Sequence, residues 1–220
     1  MSVADELPAV VVLISGEGTN LQALIDAAAD GRLDARIAAT ISDRRNARGL
    51  ERARHAGIDA IHIPPREFAD REAFDRALAD TIDGLESAAI VLAGFMRVLG
   101  PAVVRRFEGR MLNIHPSLLP KYPGLDTHRR VLEAGEREHG ATVHFVTEEL
   151  DAGPAVIQYR IPVRADDSVD TLVERVHRGE HLILPRATRW LATGRLRLVA
   201  DMPMLDGERL EKPVVLEEEP

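Results

Sequence analysis

Apolar runs of strand length alternate with segments of helical period through the first half of this chain, and no other feature restricts its fold as strongly. Residues 9–14 form an unbroken apolar run, Leu21, Leu24, Ile25 and Ala28 follow at helical spacing, 37–41 is again largely apolar, and a charged helical stretch begins near Ala47. The alternation continues through 60–63, a helical pattern over 68–78 and the run 89–93. Strands that are apolar along their whole length need cover on both faces, which helices on the two sides of a parallel sheet provide. The expected fold is α/β, doubly wound and Rossmann-like, with a mostly parallel central sheet and helices on both faces.

After the run 111–114 the texture changes. Pro116, Pro120, Pro123 and Gly124 deny helix and sheet to the residues before His128, and long irregular segments inside compact domains are usually functional or disordered. Residues 141–147 and 155–163 read as two strands of an antiparallel C-terminal part. Ser168 is placed to cap a long amphipathic helix that ends near Trp190. The polar, acidic tail from Leu205, over 205–220, is expected to be peripheral, as is the segment 1–8. Neither an internal repeat nor a linker-like stretch divides the chain, so one domain is expected over 1–220.

Charge and composition narrow the function. Lys and Arg number 28 against 36 Asp and Glu, a formal net charge of -8, which opposes attraction to nucleic-acid phosphates and to anionic lipid. No cysteine is present, so disulfides, thiolate nucleophiles and Cys-ligated zinc are excluded. The N-terminal residues are acidic where a signal peptide is basic, and the first apolar run is far too short to span a bilayer. A cytoplasmic protein acting on small molecules is expected, without nucleic-acid or membrane partners; a homodimer is the assembly left open.

Four segments could carry chemistry. Ser15-Gly16-Glu17-Gly18-Thr19-Asn20 lies between a strand and a helix, where glycines let the backbone approach a ligand and free N–H groups favour an anion. It lacks the third glycine of the dinucleotide fingerprint and the Lys of a P-loop, and a tight turn with Thr19 or Asn20 capping the helix is the plainer alternative. Asn113 and His115 are two apart on a strand, so they leave one face at the end of the sheet where open α/β folds bind ligands. A carboxamide can donate to a developing oxyanion and an imidazole can move protons; a polar pair supporting the turn is the alternative. Ser117 lies among prolines without a nucleophile elbow. Asp151, in Glu149-Leu150-Asp151-Ala152-Gly153-Pro154, suits a β-turn, but a carboxylate beside His115 would stabilise its imidazolium. Glu180 continues the apolar stripe of Val169, Leu172, Val173 and Val176, so it faces the core and needs a partner, either a ligand or an Arg. His177-Arg178-Gly179-Glu180-His181 fits the H-x-x-E-H zinc pattern, but Gly179 weakens the helix between the histidines and the acid faces the core stripe.

Taken together, Ile14 through Leu24, Val91 through Arg97, Leu112 through Pro120 and Gly140 through Gly153 resemble the folate-dependent formyltransferases. The glycine loop and Lys121-Tyr122-Pro123-Gly124-Leu125 are similar to those of the phosphoribosylglycinamide formyltransferase branch. The resemblance runs from about Val10 to Trp190. It implies transfer of a formyl group from 10-formyltetrahydrofolate, as co-substrate, to the amine of glycinamide ribonucleotide in purine synthesis, with no metal required. Gly18, Thr19 and Asn20 match the segment that holds the ribonucleotide phosphate, and Glu180 matches an acidic contact to the same substrate. Arg71, Met96, Arg97, Val98 and Leu99, together with Asn113, match folate-binding positions. Amine attack on a formamide-like carbon needs an oxyanion donor and an acid for the leaving nitrogen. The implied roles are Asn113 as oxyanion donor, His115 as acid, and Asp151 as the carboxylate that steadies the imidazolium and relays the amine's proton. Glu17 stands where some relatives carry a neutral Asn, and Asp126 where some carry His. His144, one strand upstream of Asp151, resembles a neighbour of the family's active site, with a structural role as the simpler reading. A methionyl-tRNA or sugar-nucleotide amine is the alternative acceptor; tRNA would meet an acidic chain.

Overall fold

The computed structural model describes residues 7–218. The first six residues, most of the expected N-terminal tail, lie outside the described residues. From Leu7 onward the chain forms β1 (Ala9–Ile14), α1 (Thr19–Ala29), β2 (Arg36–Ser42), α2 (Arg48–His55), β3 (Asp59–His62), α3 (Arg71–Asp83) and β4 (Ala89–Leu92). There follow α4 (Pro101–Arg106), β5 (Met111–His115), α5 (Thr127–Glu133), β6 (Glu138–Phe145), β7 (Ala155–Pro162) and α6 (Val169–Ala192). The chain closes with β8 (Leu196–Val199), β9 (Met202–Leu205), β10 (Glu208–Arg209) and β11 (Val214–Glu217).

Eight strands pair in the order β11-β7-β6-β5-β4-β1-β2-β3. β6 runs antiparallel to both neighbours while the other pairings are parallel, so the fold is the mostly parallel, doubly wound α/β architecture expected. β1 shows why its apolar run has no polar interruptions. Val10, Val12 and Ile14 point into a core shared with α1, α2 and α6, while Val11 and Leu13 point into a second core against α3 and α4. The two-residue period of a strand thus feeds two hydrophobic layers.

α6 is capped by Ser168, whose hydroxyl accepts the Thr171 N–H while the Thr171 side chain answers to the Ser168 backbone, a reciprocal capping box. Gly179 sits mid-helix for a packing reason: a Cβ there would come within 1.9 Å of the Tyr159 ring. The absent side chain brings α6 against β7.

The tail departs from expectation. Its described part, 205–218, is built into sheets: it completes the three-stranded antiparallel meander of β8, β9 and β10, and β11 joins the main sheet as a parallel edge strand on β7. Glu218 then reaches Arg175 of α6 at 2.5 Å, and Arg175 also holds Asp167 at 2.7 Å and the Pro162 carbonyl. The Arg175 guanidinium holds the Glu218 carboxyl below its usual range. A buried arginine shared by two acids and a carbonyl locks the edge strand in place. The acidic composition that suggests a loose tail instead supplies its anchor.

Candidate active site

A cleft of about 850 Å³ opens at the C-terminal ends of β1, β4 and β5, where the strand order leaves β1 toward β2 on one side and β4 on the other and where such sheets bind ligands. Its walls include 17–20, 92–99, Asn113, His115, 124–129, His144, Asp151, His177 and Glu180. No helix among the described residues is long and apolar enough to cross a membrane.

The turn after β1 reaches the cleft without the side-chain cap that the plainer reading supposed. Gly18 is the N-cap of α1 in a left-handed conformation, and no side chain among the described residues caps the first turn, so the initial N–H groups are left for another acceptor. Glycine is required there twice over, by the positive φ and because a Cβ would meet the Gly49 Cα at 2.6 Å. The loop is fastened from α2: Gly49 N–H donates to Gly16 O at 3.1 Å and Arg52 Nε to Glu17 O at 2.9 Å. Glu17, which adds a negative charge beside this turn, faces Arg48 at 3.4 Å.

Asn20 points to Glu180. Its Nδ2 donates to Glu180 Oε2 at 2.7 Å, and its own buried Oδ1 has no partner among the described residues. Glu180 is 4% exposed, with His177 Nε2 at 3.9 Å. The expected alternative, an arginine neutralising this acid, is not what the structure shows. Burial pushes the Glu180 carboxyl above its ordinary range, against the Asn20 amide and His177, because a desolvated carboxylate is costly.

At the other end of the cleft, β5 presents Asn113 and His115 on one face. His115 Nδ1 lies 3.3 Å from Asp151 Oδ2, and its Nε2 lies 2.9 Å from the Tyr122 carbonyl. The ring is thus held between a backbone carbonyl and the Asp151 carboxylate, one at each nitrogen. Asp151 sits in the loop between β6 and β7 with φ of 54° and also accepts the Gly124 N–H at 2.8 Å, tying that loop to the proline-rich one. The turn reading and the pairing with His115 both hold. The proline-rich segment is itself fastened: Ser117 Oγ donates to Lys121 O, Thr142 Oγ1 donates to Ser117 O, and Gln158 Nε2 donates to Leu119 O. Ser117 is thus a loop-holding hydroxyl.

His144, for which a structural role is the simpler expectation, belongs to this cluster. Residue 144 is opposite Asn113 in the β5–β6 register. Its Nδ1–H donates to Phe145 O at 2.9 Å, which leaves Nε2 to accept from Asn113 Nδ2 at 3.1 Å; burial, opposed by that carbonyl and by Asp151, lowers its pKa. The amide is thereby oriented with one N–H spent on His144 and the other without a partner among the described residues. His128 also lines the cleft and contacts the buried His139 at 2.9 Å; burial drives these two down to about 4 and about 3.

Met96, Arg97, Val98 and Leu99 all line the cleft, and Met96 and Val98 remain more than half exposed, as does Leu150 across from them. Arg71 stands outside the lining and donates from Nη2 to Val98 O at 2.7 Å. Asp75 accepts the Gly100 N–H at 3.1 Å, so α3 grips this second loop much as α2 grips the first.

Sequence comparison agrees with the geometry. Residues 9–188 match the formyl transferase family. The chain is 52% identical over 201 residues to phosphoribosylglycinamide formyltransferase of Escherichia coli (strain K12), covering 91% of this chain and 95% of that one. It is 48% identical over 187 residues to the trifunctional purine biosynthetic protein adenosine-3 of Drosophila melanogaster, covering 84% of this chain and 14% of that protein. The solved phosphoribosylglycinamide formyltransferase of Coxiella burnetii superposes with a TM-score of 0.92 at 50% identity, covering 96% and 99% of the two chains.

Proposed function

This chain belongs to the formyl transferase family, and we propose that it moves the formyl group of 10-formyltetrahydrofolate to the primary amine of glycinamide ribonucleotide, a step of purine biosynthesis in the cytoplasm, with Asn113, His115 and Asp151 as its catalytic residues. The observation that carries the assignment of roles is the 3.3 Å approach of His115 Nδ1 to Asp151 Oδ2 beside Asn113.

The amine nitrogen attacks the formyl carbon, the carbonyl π bond becomes an oxyanion, and collapse of that oxyanion breaks the bond to the folate nitrogen. The second N–H of Asn113, aimed by His144, stabilises the oxyanion. The His115–Asp151 pair delivers a proton to the departing nitrogen and recovers one from the attacking amine, ending as it began. Gly18, Thr19 and Asn20, at the uncapped start of α1, receive the ribonucleotide phosphate, and Glu180 accepts hydrogen bonds from the same substrate. Met96, Arg97, Val98 and Leu99 cover the pterin, Asn113 meets the reacting end of the folate, and Arg71, half exposed behind that loop, meets acidic groups of the cofactor. A tRNA acceptor is disfavoured by the net charge of -8.

Incubation with 10-formyltetrahydrofolate and glycinamide ribonucleotide, followed through the folate absorbance, tests this directly. Turnover with the ribonucleotide and not with other amines is expected; turnover only with a different amine, or none, overturns it.

A further inference from the structure

We propose that Ser15 is a positioning residue that couples the two substrate loops, so that filling one strengthens binding at the other. The inference rests on the assignment of the glycine loop to the ribonucleotide and of 94–99 to the folate. Ser15 is 1% exposed and does not line the cleft, so it touches neither substrate. Its hydrogen bonds nevertheless run from one loop to the other. The Ser15 N–H donates to Gly94 O at 3.0 Å, and Ser15 Oγ accepts the Met96 N–H at 2.9 Å. Oγ–H in turn donates to Asp43 Oδ1 at 2.6 Å, a short charge-assisted bond that polarises the hydroxyl and makes it a better acceptor for Met96.

Each loop is otherwise held from its own flank, the first by Gly49 and Arg52 of α2 and the second by Arg71 and Asp75 of α3. Ser15 joins them at the ends of β1, β2 and β4. A ligand that orders the glycine loop fixes Ser15, and through it the backbone at Gly94 and Met96, so the second ligand meets a loop already partly ordered. The effect is reciprocal by linkage.

Calorimetric titration of the full chain with glycinamide ribonucleotide, with and without saturating tetrahydrofolate, measures the coupling, because tetrahydrofolate carries no formyl group and the ternary complex cannot react. In the wild type each ligand should tighten the other by about 5-fold or more, the low end of typical coupling. Ser15→Ala should bring that factor below about 2 while each ligand alone binds within about 3-fold of wild type. Asp43→Ala, at a half-buried position, should lower the factor as well and carries the test if Ser15→Ala does not fold. Coupling absent from the wild type, or unchanged in the variants, overturns the proposal. Equal losses for both ligands with the coupling intact mark a merely structural hydroxyl and overturn it too. A wild-type protein that binds neither ligand overturns the substrate assignment itself, and the coupling falls with it.

Discussion

At the β5 end of the cleft both ring nitrogens of His115 and both of His144 have protein partners, whereas at the α1 end, among the described residues, the helix has no side-chain cap, Asn20 Oδ1 has no partner, and the buried Glu180 carboxylate has the Asn20 amide at 2.7 Å with His177 only at 3.9 Å. The first region is arranged before any substrate arrives, which is what stabilisation of a developing charge requires. The second is left with unmet electrostatic demands that a bound phosphate and hydroxyl groups would meet. Substitutions at the first end should therefore act on turnover, and at the second on substrate affinity, with stability moving in the opposite direction.

The largest effect should follow Asn113→Ala. Loss of one oxyanion donor lowers kcat by about 10²–10³, while KM for the ribonucleotide stays within a few-fold; steady-state kinetics with near wild-type turnover would remove Asn113 from the chemistry. Glu180→Gln keeps an acceptor for Asn20 but removes a buried charge. Ribonucleotide KM should rise by about 10-fold, as expected for a lost hydrogen bond to a charged group, with kcat nearly unchanged and a melting temperature no lower than that of the wild type. A drop in kcat instead would erase the contrast between the two ends.

A third test concerns the histidine pair at the chemical end, His128 in the cleft wall and the buried His139. The folded values of about 4 for His128 and about 3 for His139 lie below the unfolded value of 6.5, so the unfolded chain binds more protons. Their neutral forms contribute stability that is fully present above pH 6.5 and is lost as pH falls toward those folded values. For the buried His139 the slope approaches about 1.4 kcal/mol per pH unit. Denaturant titrations at pH 7 and pH 5 should show this loss, and His139→Gln should flatten it; an equal slope in the variant would assign the acid sensitivity elsewhere. The smallest effect is expected at Arg48. Its pairing with Glu17 is exposed and adds little stability, but it masks an acid beside the phosphate turn. Arg48→Ala should raise ribonucleotide KM by about 2- to 3-fold, as screened surface charges do, and Glu17→Asn in the same chain should restore it.

The same contrast governs what could be read from the chain. β1 and β4 were legible because burial on two faces leaves uninterrupted apolar runs, and Glu180 because it falls on the stripe of α6. Glu180's partner was not: the stripe says that the acid is buried, but the contact with Asn20 spans the molecule from α1 to α6. His144 joins the site through the β5–β6 register, which no local pattern encodes. β11 was hidden by its acidic surroundings, since its place depends on Arg175 and on the open edge of β7. The proximity of His115 and Asp151 followed from the family resemblance and the chemistry, and only the fold supplies the distance.

The most direct test of the account is kcat of Asp151→Asn at saturating concentrations of both substrates. Loss of the carboxylate should lower turnover by at least about 10², the low end for a positioned acid–base group, with tetrahydrofolate binding unchanged. Turnover within about 3-fold of wild type would contradict an acid–base role for the His115–Asp151 pair.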